Sequence, residues 1–145
     1  IDSAYVTLHS GLGNFRAIEV EDLTKHKMDS EQMEINEQNA NLINKTKEKE
    51  NKVCIVGTTT MKAVETAAIT GNRVKVYSGW SNKFIFPHYN FDIADAMITN
   101  FHPPLSSMLM MVSAFGGYDL IMEAYKHAVE KEYKFLTYGD AMLII

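Results

Sequence analysis

The chain has 145 residues, 46% hydrophobic and 22% charged, with a formal charge of −4. That length suits one domain, which at this size buries about 68–70% of its unfolded surface. The acidic balance argues against nucleic-acid binding through bulk positive charge. The single cysteine excludes an intramolecular disulfide framework and fits a reducing, cytoplasmic setting.

The first residue is Ile1, and a strand is predicted almost at once, over Ala4–His9. We therefore read the chain as a fragment cut from something longer. In that strand Tyr5 and Thr7 alternate with Val6 and Leu8, and the glycine loop Ser10-Gly-Leu-Gly13 follows. Asn14–Val20 reads as a second extended piece and Glu31–Ile35 as a short strand. Asn36 is placed to cap a helix running to about Lys49, because its side chain accepts from free first-turn amides. Ala40 and Ile43 give that helix a weak inward stripe, and Lys45–Lys52 reads as its solvated basic end.

Lys52–Gly57 is a short apolar strand, of the kind covered on both faces, with Cys54 expected as an inert buried thiol. Thr58 is placed to cap a helix carrying Met61, Val64, Ala67 and Ala68 on one face, with Gly71-Asn72 as its end. Strands are predicted at Val74–Ser78 and Phe84–Phe86 around a Gly79–Asn82 turn, and again at Ala96–Thr99. Ser106–Phe115 reads as a helix broken by Gly116-Gly117. Its Met108, Met110 and Met111 are expected in the core. Tyr118–Lys131 is an amphipathic helix with Leu120, Ile121, Ala124, Tyr125 and Ala128 inward. A Tyr138–Asp140 turn leads into a last strand, Ala141–Ile145. Alternating helices and strands predict an α/β fold with a mixed, partly parallel sheet and flanking helices.

Several constellations carry chemistry. The order strand, Gly-Thr-Thr-Thr, helix over Val53–Glu65 could cradle an anion at the helix start, or Thr58 could simply cap it. His9 stands at a strand end before a flexible glycine loop. Glu31 belongs to a polar cluster with His26, Asp29 and Ser30 that could supply an acid or base. Thr99-Asn100-Phe101-His102 ends a buried strand beside the Ser106 helix start, a place where α/β proteins set ligands. No cluster has zinc-ligand spacing and no Gly-x-Ser-x-Gly elbow occurs.

Four blocks stand in order: His9–Phe15, Val56–Thr60 with Glu65-Thr66, Phe84–His102, and Tyr138-Gly-Asp-Ala-Met-Leu143. Together they resemble the S-adenosylmethionine:tRNA ribosyltransferase-isomerases of queuosine biosynthesis. The resemblance implies that residues 1–145 are the C-terminal portion of a distorted barrel-like α/β domain whose N-terminal part is missing. It also implies an enzyme that moves the ribosyl part of S-adenosylmethionine onto the 7-aminomethyl-7-deazaguanine base of tRNA. The ribose is isomerised, epoxyqueuosine forms, and adenine and methionine leave. The implied partners are S-adenosylmethionine, as substrate, and the tRNA anticodon region, with no tightly bound cofactor, metal or membrane.

On that basis His9, Gly11, Gly13, Thr58, Thr59, Asn100 and Ser106 are the expected substrate-binding residues. Glu31, Asp140 and His102 are the expected catalytic ones. The chain departs from the family pattern at Ser10, Asn14, Asp29, His88 and Leu105, and has Lys62 where an arginine is usual. Those departures motivate an alternative, a diverged relative that binds a nucleoside, RNA or a protein partner without catalysis.

Overall fold

The structure, a computed structural model, describes residues 1–145 apart from the side chain of Phe15. It is a mixed α/β fold with one parallel strand pair, but its strands form three small sheets rather than one. The first sheet is antiparallel, in the order β1 (Thr7–Leu8), β2 (Glu31–Ile35), β6 (Tyr77–Ser81). The second contains β3 (Cys54–Val56) parallel to β7 (Ala96–Asn100), with β8 (Ala141–Ile144) antiparallel on the far side of β7. A hairpin of β4 (Ala68–Ile69) and β5 (Arg73–Val74) completes the set.

Strand β2 shows why this chain folds as it does. Glu31, Met33 and Ile35 point inward while Gln32 and Glu34 face water, the period of two that one covered face requires. Helix α1 (Glu37–Glu48) follows at once, and the Asn36 carboxamide oxygen accepts from the Asn39 amide at 2.9 Å. Its buried face holds Ala40, Ile43 and Asn44. Asn44 donates to the Val74 carbonyl at 2.9 Å and accepts from the Val74 amide at 2.7 Å, fastening the hairpin to α1. Nearby, the Lys47 ammonium meets the Asp95 carboxylate at 2.9 Å and so ties α1 to the start of β7.

Helix α2 (Thr58–Ala67) packs against both three-stranded sheets. Its core face of Met61, Val64 and Ala67 is as expected, but two details of its ends differ. The cap is Gly57, whose φ of 90° suits glycine, and Thr58 is already helical. The helix also stops at Ala67, because Ala68–Ile69 is claimed by pairing with Arg73–Val74, so Gly71-Asn72 turns a hairpin instead.

Other expectations are corrected by tertiary pairing. The predicted 79–82 turn lies mostly inside β6, since β2 offers it a ladder from Tyr77 to Ser81. Phe84–Phe86 forms no strand: Phe84 packs on His26 at 4.8 Å and on Phe86 at 5.0 Å between ring centres. The stretch 14–20 begins with a 3-10 turn at Leu12–Phe15 and contains no strand. The first strand is only Thr7–Leu8. Strand β3 buries Ile55 alone, so Cys54 is an exposed thiol and not a core one.

Helices α3 (Ser107–Gly116) and α4 (Tyr118–Glu130) meet at Gly117, whose φ of 84° ends one and begins the other. On α4, Ile121 and Ala128 are buried, whereas Leu120 is exposed, contrary to expectation. Among the described residues, no helix is long and apolar enough to cross a membrane.

Candidate active site

The parallel pair β3–β7 brings two polar strand ends side by side. Val56 lies opposite Ile98, so Gly57-Thr58 and Thr99-Asn100 emerge together at the carboxyl edge. This is where open α/β sheets receive ligands. A cleft of about 640 Å³ opens there, between that edge, the Ser10–Asn14 loop and the start of α3. Its floor is apolar, with Val56, Ile98, Met108 and Met111, and its polar groups converge from several elements.

Glu31 is the one carboxylate lining the cleft among the described residues. It is 3% exposed, yet fully partnered. One oxygen takes the Lys62 ammonium at 2.7 Å. The other accepts the Gly11 amide at 2.7 Å and the Asn14 carboxamide at 2.7 Å. Burial of a charge is tolerated when it is paired and hydrogen-bonded in this way. The Lys62 that stands in place of the usual arginine is therefore a point-charge partner for Glu31, buried to 3% exposure on α2.

His102 also lines the cleft. Its Nε2 shares a 2.8 Å hydrogen bond with Thr99 Oγ1, and its amide donates to the Tyr125 hydroxyl oxygen at 2.8 Å. Burial lowers the imidazole pKa to about 4, so the ring is neutral at physiological pH. The Tyr125 phenol is shifted upward, again by burial first. Asn100 lines the cleft and donates to the carbonyls of Gly139 at 3.3 Å and Asp140 at 3.1 Å. Thr58 and Thr59 line it from the first turn of α2, which no side chain caps.

Five of the expected site residues sit elsewhere or do other work. His9 is exposed, outside the lining, with its amide bonded to the Gln32 carbonyl at 2.8 Å. Gly13 lies against the Asp29 side chain, again outside the lining. Ser106 is a helix cap: its hydroxyl accepts the Leu109 amide at 3.1 Å and donates to the Pro103 carbonyl at 2.8 Å, leaving Ser107 to face the cleft. Asp140 stands outside too, its carboxylate accepting the Lys134 amide at 2.7 Å to close a surface turn. Gly11 acts through Glu31 and does not itself line the cleft.

Other lining residues escape sequence reasoning. Lys83, Leu136 and Thr137 come from irregular segments with no periodicity to mark them. Met108 and Met111 read as core, but contribute to the cleft wall as well. Among the described residues, no group of three or more His, Cys, Asp or Glu side chains is arranged to hold a metal ion.

This geometry defines an α/β domain with a polar-lined cleft at the carboxyl edge of a parallel strand pair. The sequence pattern of the family described as queuosine biosynthesis protein matches residues 1–144. Over all 145 residues the chain is 58% identical to an S-adenosylmethionine:tRNA ribosyltransferase-isomerase of Phocaeicola vulgatus. It is 52% identical over the same length to one of Flavobacterium psychrophilum. It spans 41% and 42% of those two proteins, respectively. The crystal structure of S-adenosylmethionine tRNA ribosyltransferase from Thermotoga maritima superposes with a TM-score of 0.74 at 41% identity, over 79% of this chain and 40% of that one. The chain belongs to the S-adenosylmethionine:tRNA ribosyltransferase-isomerase family.

Proposed function

We propose that this chain forms the cleft-bearing part of a tRNA-modifying ribosyltransferase-isomerase that takes S-adenosylmethionine as its ribosyl donor. In this reading the ribosyl group passes to the 7-aminomethyl-7-deazaguanine base of tRNA, and epoxyqueuosine forms with loss of adenine and methionine. The reaction would take place with tRNA in the cytoplasm. The observation that carries the reading is the convergence of Glu31, Thr58, Asn100 and His102 on one cleft, in a chain 58% identical to a relative of that name.

The chemistry matches the polar set. A sulfonium acidifies the neighbouring C5′ hydrogens of the ribose, so a base that removes one starts the elimination of adenine. Glu31 is assigned that role, with Lys62, Gly11 and Asn14 fixing the direction of its lone pairs. Neutral His102 is assigned a hydrogen bond to the substrate, since its pKa of about 4 keeps a ring lone pair free of a proton. Thr58, Thr59 and the start of α2 offer donors to an anionic group. Asp140 has no chemical part in this assignment.

The test is adenine release by the full-length protein given S-adenosylmethionine and precursor-base tRNA. Glu31→Gln is expected to lower kcat by about two to four orders of magnitude, the range of a general base. No adenine from the wild type, under conditions where the Phocaeicola vulgatus relative works, rules the reading out. One observation favours a second reading: the Glu31 carboxylate already holds three donors. A binding-only relative would retain S-adenosylmethionine and release no adenine.

A further inference from the structure

Lys83 enters the cleft from the segment after β6, and its surroundings are more built than a surface lysine requires. Its backbone amide donates to the Ser81 hydroxyl at 3.3 Å. Its ammonium lies 5.1 Å over the centre of the Tyr89 ring and donates to the Tyr89 hydroxyl oxygen at 3.1 Å. That hydroxyl in turn donates to Glu65 at 3.3 Å. Glu65 is 1% exposed and also accepts the amides of Asp92, Ile93 and Ala94, at 3.0 Å, 3.0 Å and 3.2 Å. Burial and the Glu65 charge both raise the Tyr89 pKa, so the phenol keeps its proton and leaves the lysine charge intact.

The charge balance of the cleft follows. Lys62 and Lys83 are its two ammonium groups, and Glu31 is its one carboxylate among the described residues. Glu31 is bound to Lys62 at 2.7 Å. No described carboxylate lies within ion-pairing distance of Lys83. An ammonium has three donors, and Tyr89 uses one. The cleft therefore presents one unmatched positive charge, and the uncapped start of α2 adds its dipole from another wall. We propose that Lys83, held in place by Tyr89, is a specificity residue that binds a single oxyanion of the substrate, a carboxylate or a phosphate. This deepens the proposed function and rests on it: S-adenosylmethionine offers a carboxylate and tRNA offers phosphates.

The experiment measures equilibrium binding of S-adenosylmethionine, of its decarboxylated analogue and of an anticodon stem-loop to the full-length protein and to Lys83→Met. A carboxylate ligand predicts at least tenfold weaker binding of S-adenosylmethionine by Lys83→Met, with the decarboxylated analogue unaffected. A phosphate ligand predicts at least tenfold weaker stem-loop binding and a salt slope lower by about one contact. In either case Lys83→Arg retains most of the affinity, and Tyr89→Phe falls between. Lys83→Gln, which keeps a polar head without charge, is expected to match Lys83→Met, and thermal unfolding of both variants at the wild-type Tm guards against loss through misfolding. The inference is overturned if Lys83→Met binds all three probes within twofold of the wild type. A wild type that binds neither S-adenosylmethionine nor the stem-loop overturns the proposed function, and the inference falls with it.

Discussion

Lys62 and Glu31 meet at 2.7 Å with both side chains at or below 4% exposure, joining helix α2 to strand β2 beneath the cleft. Removing one partner of such a pair strands the other charge in a poor solvent for it. Lys62→Met is expected to lose about 3–5 kcal/mol of stability in urea denaturation. The double variant Glu31→Gln with Lys62→Met should recover part of that loss, because no isolated charge remains. A Lys62→Met protein within roughly 1 kcal/mol of wild type would show that water reaches Glu31.

His102 gives a pH prediction with a definite sign. Its folded pKa is about 4, lowered by burial, against an ordinary value of 6.5. Above pH 6.5 both folded and unfolded forms are neutral, and the imidazole makes no pH-dependent contribution. Between 6.5 and 4 the unfolded chain binds the extra proton, so stability falls as the pH falls, by about 3 kcal/mol in all. NMR titration of the His102 ring should show no protonation near pH 6, and His102→Gln should flatten the acid limb of the stability curve.

Glu65 is expected to matter to the fold as much as to the cleft. Its two oxygens accept three backbone amides and one phenol. In Glu65→Gln one of those oxygens becomes an amide donor facing other donors. The cost is about 1–3 kcal/mol for each buried group left unmatched. Thermal unfolding measures it, and a Tm unchanged from wild type would contradict the assigned network.

The Asp140 turn offers a test that separates a structural carboxylate from the proposed base, Glu31. Asp140→Asn keeps an oxygen for the Lys134 amide, so turnover should stay within about threefold of wild type. A loss of a hundredfold would restore Asp140 as a base. Gly139→Ala should do more harm, since an added Cβ would run into the Lys134 backbone carbonyl. Its effect should appear first as lower stability.

The sequence was most informative where one physical signal dominated. The Asn36 cap and the apolar run into Thr99-Asn100 predicted α1 and β7 to within a residue or so, and the short strand read at Glu31–Ile35 is β2. It misled where pairing partners decided the outcome: Gly79 reads as a turn until Met33 stands opposite it, and Gly71 as a helix end until Arg73 pairs with Ile69. The site followed the same rule. Glu31, Thr58, Asn100 and His102 lie at element ends and were legible. Lys83 was not, because it sits in an irregular segment and its position depends on Tyr89, which is itself held by Glu65 from another element. Asp140 and Ser106 have the residue types of site groups but spend their oxygens on local backbone.

The two three-stranded sheets that flank the cleft share no strand. The cleft is thus a seam that no ladder hydrogen bond crosses. Helix α2 spans the seam, and the Glu31–Lys62 contact clamps it. The same carboxylate holds the Gly11 amide through its other oxygen, so the glycine loop, β2 and α2 meet at one side chain. Glu31 is thus a joint common to the loop, the sheet and the helix that bound the cleft.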